Sequence, residues 1–358
     1  MFCIASFIIL GILSIFSARY RRLAGEAWKC VARKTTLRKC DTNFKEDLKN
    51  RLLSGVSVSH PKLARFFERW IEVLAFAFVV LSIWSLLTVI HSGINLYVYD
   101  TCNPAHPESC SLSTEACSID SVQPSFWHSL RTMHLLNWAH VNATQAVDTV
   151  ERIPDRAKKW QPLSYTTASN TYYKQFDSSK PTALEIIDPG CKFCAQDFRN
   201  MQAAGIENRY NLTYIAYPIP NPGSSSYKFK NSYLMASYLE AIKQQPKLKL
   251  TTPADWQILQ RIFTWQDPDS INYQSRIDFV YTSAQTEALL QKWLSQIGYT
   301  PAQVQNIADA AKSQSVKDAI AGNRQTVEKQ IKTVKIPTLL LGTRRYDGVV
   351  DTKELEKR

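Results

Sequence analysis

The run Cys191-Lys192-Phe193-Cys194 constrains this chain more than any other stretch, because of what flanks it. Residues 182–187, Thr-Ala-Leu-Glu-Ile-Ile, form a compact apolar run of strand length, and Asp188-Pro189-Gly190 then turns the chain. After the second cysteine, residues 195–204 carry Phe198 and Met201 at helical spacing and stop at Gly205, a natural helix end. The order is strand, turn, dithiol, helix. It sets the first thiol at a helix N-terminus, where unpaired backbone N–H groups and the helix dipole stabilise the thiolate, the reactive form. The spacing alone is weak, since zinc sites use it too and the chain has 8 cysteines in 358 residues. No second Cys-x-x-Cys completes four zinc ligands, however, and no His lies close by. Redox chemistry is therefore expected ahead of a metal site or an inert disulfide.

These residues resemble the thioredoxin superfamily, and within it the DsbA-like thiol-disulfide oxidoreductases. Glu185 lies six residues before Cys191, where the superfamily keeps a buried acid that moves protons under the second cysteine. Far downstream, Lys335-Ile336-Pro337-Thr338 precedes Leu339-Leu340-Leu341-Gly342 and looks like the cis-proline loop that faces the dithiol. The resemblance runs from near Gln161 to the end of the chain. It implies an α/β architecture, a thioredoxin fold with an inserted helical subdomain. It also implies that Cys191 attacks, that Cys194 resolves the mixed disulfide, and that Ile336 and Pro337 hold an extended substrate chain. Lys192 and Phe193 would tune the redox potential. Strongly oxidising members place a His where this chain has Phe193, so the direction of electron flow stays open. The substrates implied are cysteine-bearing exported or membrane proteins. No bound cofactor is implied, and the dithiol would be reset by a quinone-linked membrane oxidoreductase.

The stretch between these landmarks reads consistently. Residues 212–217 form a second strand, broken by Pro218-Ile219-Pro220-Asn221-Pro222-Gly223. A helical insertion is expected over about residues 224–331. Thr252-Pro253 with Asp255 starts a helix bearing Trp256, Leu259 and Phe263; Leu289, Leu290, Trp293, Leu294 and Ile297 line another that ends at Gly298. Thr300-Pro301 with Gln303 opens a third, and Ala319, Ile320, Val327 and Ile331 mark a fourth. Residues 351–358 start like a helix and then stop, so the final helix of the fold is expected to be clipped.

A separate signal places the dithiol. Residues 2–18 carry no charge, and residues 73–99 carry none apart from His91, so each is long enough to span a bilayer. Trp70, Tyr97 and Tyr99 edge the second span, and Glu72 falls at its boundary. The first span lacks the basic n-region and cleavage site of a signal peptide, so a retained anchor is expected. Between them, residues 19–69 hold 14 Lys or Arg against 5 Asp or Glu, a difference of +9 within the chain's net +12. Short basic loops stay cytoplasmic, which accounts for this patch without nucleic-acid binding. The expected order is a transmembrane helix (1–18), a basic cytoplasmic loop (19–69), a second transmembrane helix (70–99), a Cys-containing segment with a helical linker (100–160) and the thioredoxin-like domain (161–358). That two-helix hairpin puts the domain outside the cytoplasm, in a periplasm or at the cell exterior.

Cys102, Cys110 and Cys117 cluster just outside the second span. One pair is expected as a structural disulfide, leaving the third free, as a relay for the dithiol, or bridging two copies. Cys30 and Cys40, in the basic loop, are expected reduced and passive. Residues 124–150 read as one helix and 152–180 as a linker. His128, His134 and His140 recur every six residues, not the i, i+4 spacing that puts two imidazoles on one face. Two other readings remain: a non-catalytic, membrane-anchored thioredoxin-fold module that binds polypeptide or metal, and a cytoplasmic reductase of inverted topology. Only 4 Met and no His near the dithiol argue against Cu(I).

Overall fold

Two stretches of the chain organise by different rules, and the structure, a computed structural model, divides them into units 1–91 and 92–358. It describes residues 7–11, 14, 18–35, 61–107, 110, 115–119, 124–246 and 248–358. In the first unit, α1 (Ala18–Thr35) is followed by α2 (Pro61–Tyr99), which continues into the second. Within α2, Val73–Tyr99 is the one helix among the described residues long and apolar enough to cross a membrane. Many of its apolar side chains are exposed, Leu81 and Val89 at 66% each, whereas Val79 and Val98 are buried. The expected first span, 2–18, falls largely outside the described residues, as do Cys40 and about half of the basic loop, 36–60. One expectation is corrected here. Cys30 is not a reduced thiol but disulfide-bonded, a state that an oxidising environment preserves and a reducing one does not.

In the second unit, the end of α2 leads into a loop cross-linked by Cys102–Cys110. The two-residue strand β1 (Cys117–Ser118) follows, then α3 (Phe126–Arg131) and α4 (Leu135–Glu151). The single helix read over 124–150 is thus two. Met133 takes φ 59°, a left-handed conformation that a continuing helix does not allow, and His134 N–H donates back to Ser129 O at 2.8 Å. The stretch 152–180, read as a linker, packs onto the domain instead. Trp160 and Thr171 are buried, Trp160 N–H donates to Thr343 O and Tyr173 N–H to Leu212 O.

One mixed sheet organises the domain. β2 (Thr182–Ile187) runs parallel to β3 (Asn211–Ala216) and antiparallel to β5 (Thr338–Leu341), and β6 (Arg344–Asp347) completes the order β3-β2-β5-β6. Every residue of β2, β3 and β5 is buried, which explains why they read as continuous apolar runs rather than alternating ones. A parallel β2–β3 pair requires a crossover, supplied by α5 (Lys192–Ala203) and the single turn α6 (Ile206–Arg209), with Gly205 at φ 63° between them.

The helical insertion comprises α7 (Ser232–Lys243), α8 (Ala254–Thr264), α9 (Tyr273–Phe279), α10 (Ser283–Ile297), α11 (Pro301–Ala310) and α12 (Gln314–Gln325), the last continuing as a π turn, Thr326–Ile331. Local chemistry sets its boundaries. Thr282 with Gln285, and Thr300 with Gln303, form reciprocal capping boxes, and Gly298 ends α10 at φ 117°. Each such cap contributes about 1 kcal/mol. Trp256 ties the insertion to the sheet, its ring 4.7 Å from that of Tyr214 on β3 and 6.3 Å from that of Phe198 on α5. After β6 the chain ends in α13 (Thr352–Glu356).

Candidate active site

The turn that delivers the dithiol is fixed from below by one carboxylate. Asp188 Oδ1 accepts from Gly190 N–H at 2.8 Å and from the Ser232 hydroxyl, and Oδ2 accepts from Ile219 N–H at 2.7 Å. Burial raises its carboxyl to about 6, against the pull of these hydrogen bonds. Gly190 is required by space: a Cβ there would lie 2.5 Å from Phe229 Cβ. From the insertion, Gln274 Nε2 on α9 donates to Pro189 O at 2.8 Å and Cys191 O at 3.1 Å. Cys191 thereby becomes the N-cap of α5, in extended conformation and fully buried.

Beneath it the site is buried and acidic. Cys194, one turn into α5, is buried and carries a free thiol, whose Sγ accepts from Asp188 N–H at 3.4 Å. Burial pushes this thiol well above the ordinary range, and the charge of Glu185 pushes it further. Glu185, on β2, is itself fully buried with neither carboxyl oxygen hydrogen-bonded. Desolvation, and then the nearby Asp197, raise it well above the usual carboxylate range. Asp197, on α5, sits at about 7 through burial, offset by Val350 N–H donating to its Oδ1 at 2.7 Å. Sequence reading missed Asp197 because an acid inside a helix carries no local sign of burial.

Across from the dithiol, β4 (Lys335–Ile336) leads into a cis Ile336–Pro337 peptide bond. The Ile336 carbonyl oxygen lies 3.6 Å from Cys191 Sγ, and Pro337 O accepts from Gly348 N–H at 2.8 Å. The Lys335 side chain is completely buried, its Nζ donating to Asp100 O at 2.9 Å and pairing with Asp100 Oδ2 at 3.2 Å. Desolvation lowers this ammonium and Asp100 opposes the shift. Lys192 is exposed, its Nζ 4.7 Å over the ring of half-buried Phe193. The structure thus brings Cys191, Cys194, Glu185, Ile336, Pro337, Lys192 and Phe193 around one sulfur pair.

It also brings in Cys117, the third of the clustered cysteines, for which a free thiol, a relay for the dithiol and a bridge between copies were all open. Cys102 pairs with Cys110, and Cys117 is bonded to Cys191 with Cα atoms 6.2 Å apart. β1 lies antiparallel to β4, Cys117 opposite Ile336 and Ser118 opposite Lys335. A two-residue strand has no periodicity to read, and cysteine pairing is set by the fold rather than by spacing. Beside this disulfide opens a cleft of about 530 Å³, lined by Phe193, Lys228, Phe229, Asp278 and the 80%-exposed Phe279.

No family model matches the sequence, and no curated protein matches it. Solved structures do. The thiol-disulfide exchange protein alpha-DsbA2 from Wolbachia pipientis is 16% identical over 55% of this chain and 87% of its own, with a TM-score of 0.37. ScsC from Proteus mirabilis in a transitional conformation is 14% identical over 64% and 91%, with a TM-score of 0.38. MdbA, a thiol-disulfide oxidoreductase from Corynebacterium diphtheriae, is 12% identical over 54% and 94%, also at 0.38. The strand order β3-β2-β5-β6, the helix-capping Cys191 and the Ile336–Pro337 loop across from it give the chain a thioredoxin-like fold with a helical insertion, similar to that of its DsbA- and ScsC-like neighbours.

Proposed function

We propose that this chain is a membrane-anchored thiol-disulfide oxidoreductase acting on cysteines of exported or membrane proteins. The observation that carries the reading is the stacking of Ile336 O, Cys191 Sγ at the start of α5, and buried Cys194 and Glu185 below. In the exchange, a Cys191 thiolate attacks a substrate disulfide, or a substrate thiolate attacks the Cys191–Cys194 disulfide; either way a mixed disulfide on Cys191 forms. When the substrate is oxidised, its second thiolate attacks the substrate sulfur, a substrate disulfide forms and Cys191 leaves as a thiolate; when the substrate is reduced, attack by Cys194 on Cys191 releases the substrate thiol and closes the internal pair. Holding both sulfurs on one helical turn makes that second step intramolecular. Glu185, kept neutral into an unusual range by burial, takes and returns the proton of Cys194. Backbone groups of the Ile336–Pro337 edge pair with the substrate chain. Lys192 and Phe193 set the field at the first sulfur, and after oxidation of a substrate a quinone-linked membrane oxidoreductase takes two electrons from the dithiol and restores its disulfide.

Val73–Tyr99 serves as the anchor, with residues 2–18 as a second span and the basic loop held in the cytoplasm. The two disulfides of the 92–358 unit support an extracytoplasmic, oxidising compartment such as a periplasm. The bond at Cys30 pulls the other way, because a cytoplasmic loop does not keep a disulfide. Labelling with a membrane-impermeant maleimide in intact cells, after reduction, separates the two: label on Cys191 and none on Cys30 fits the basic-loop-inside topology, and label on both ends it.

The activity itself is tested with the double variant Cys117→Ser/Cys194→Ser in the full chain, which removes both the resolving thiol and the thiol bonded to Cys191 in the structure. Cellular proteins then accumulate as adducts on Cys191 that dithiothreitol releases. If no adduct forms, the domain is a non-catalytic polypeptide- or metal-binding module.

A further inference from the structure

We infer that β1 is a built-in substrate strand and that Cys117 is a third redox-active thiol, alternating with Cys194 as the partner of Cys191. This rests on the oxidoreductase reading and adds to it a closed state and a template for what the site accepts.

The strand occupies the edge where a substrate chain belongs. Cys117 sits opposite Ile336, Ile119 N–H donates to Val334 O at 2.9 Å, and Glu115 O accepts from Val349 N–H at 2.9 Å. Its side chains are sealed in: Cys117 is 5% and Ser118 1% exposed. Lys228 Nζ holds Ser118 through the hydroxyl at 2.7 Å and the carbonyl at 3.3 Å. Covalent attachment to the helix-capping sulfur completes the description of an enzyme–substrate mixed disulfide, made here within one chain. Cys194, the free thiol one turn along α5, is placed to resolve it.

The step balances without an outside oxidant. Cys194 loses its proton and attacks Cys191 Sγ; the Cys194–Cys191 bond forms, the Cys191–Cys117 bond breaks, and Cys117 leaves as a thiolate that takes up one proton. One disulfide and one thiol precede and follow the step. The closed form, 117–191, excludes other chains from the Ile336 edge. The open form, 191–194, is the oxidised dithiol available to them. A substrate that competes with β1 shares its chemistry: an extended segment with a small residue before the cysteine, as at Ala116, a small hydroxyl after it, as at Ser118, and an aliphatic side chain next, as at Ile119.

The test uses the oxidised full-length protein in detergent. After an acid quench, disulfide mapping by mass spectrometry is expected to find the peptides of Cys117 and Cys191 linked. Incubation with N-ethylmaleimide under native conditions is expected to accumulate label on Cys117 while a 191–194 disulfide appears. A second measurement follows exchange with a peptide copying residues 115–119, Glu-Ala-Cys-Ser-Ile. Cys117→Ser and Cys117→Ala are each expected to raise the initial rate at least fivefold over the unmodified protein. Absence of the 117–191 linkage, or a rate unchanged by both substitutions, in a protein that still forms Cys191 adducts as Cys117→Ser/Cys194→Ser, overturns this inference and leaves the activity standing. A protein that exchanges with no peptide and forms no adducts overturns both.

Discussion

The two disulfides of the 92–358 unit invite comparison, because chain entropy and chemistry rank them differently. Cys102–Cys110 spans a separation of 8 and Cys117–Cys191 one of 74. Loop-closure entropy assigns them about 2.5 and about 4.5 kcal/mol respectively, so the longer loop contributes more to stability. Their surroundings point the other way. The short loop is set by its own hydrogen bonds, Thr101 Oγ1 to Pro107 O and Asn95 Nδ2 to Cys102 O. The long one ends on a helix-capping sulfur with a free thiol one turn away. How much a bond stabilises a fold and how long it lasts are separate questions, and here the larger contribution sits in the exchangeable bond.

The largest effect that would break this contrast is on activity. Cys191→Ser is expected to lower peptide exchange on the order of 1000-fold or more, whereas Cys102→Ser leaves it within about twofold. Equal losses would make the short bridge part of the chemistry. Next comes stability in urea, read from midpoints at constant slope. Cys117→Ser is expected to cost the oxidised protein about 4 kcal/mol and Cys102→Ser about 2 to 3. A reversed order would mean that the unfolded chain is already compact around residue 191.

Acidity around the exchangeable bond sharpens the comparison further. Asp278 lines the cleft beside Cys117, its Oδ1 is buried without a hydrogen-bond partner, and burial, then Asp188, raise its carboxyl to about 8. The folded state binds this proton more tightly than the unfolded chain, whose carboxyl titrates near 3.8. Its penalty is therefore absent below about pH 4 and grows as pH rises toward 8. Asp278→Asn should thus be neutral at pH 4 and stabilise at pH 9 by up to about 5 kcal/mol, compared by urea unfolding at both values. A gain at pH 4 instead would contradict the sign. The smallest effect is at Lys228. Replacing it with Met removes two hydrogen bonds to Ser118 and is expected to weaken the closed form by about 1 kcal/mol, read as roughly fivefold more maleimide on Cys117.

What the letters revealed follows burial and capping. β2, β3 and β5 were legible because strands covered on both faces become unbroken apolar runs, and α8, α10 and α11 because Pro253, Gly298 and the Thr300–Gln303 box mark their ends. β6, Arg-Arg-Tyr-Asp, was not: an edge strand owes its pairing to β5, and Arg345 is accommodated by Asp347 at 2.9 Å and by the Trp160 ring. Around the dithiol, Cys191, Cys194, Glu185 and Pro337 stand at spacings that local sequence encodes. Gln274, which donates to the Cys191 carbonyl, Asp197, buried on α5 and held by Val350 N–H, and Cys117, bonded to Cys191, belong to the site through elements whose own patterns say nothing of it, and only tertiary packing joins them. The break at Met133 and the bond at Cys30 were invisible for the same reason.

The β1–β4 pair has a bearing on solubility as well. Lys335–Ile336 is an edge two residues long, and β1 covers it. Uncovered strand edges recruit strands from other molecules, and long flat ones seed aggregates. When β1 lifts away, the bared ladder is short and is interrupted at once by Pro337, which has no N–H to donate. The domain is thereby able to offer backbone to a passing unfolded chain, one cysteine at a time, without becoming a template on which such chains pile up.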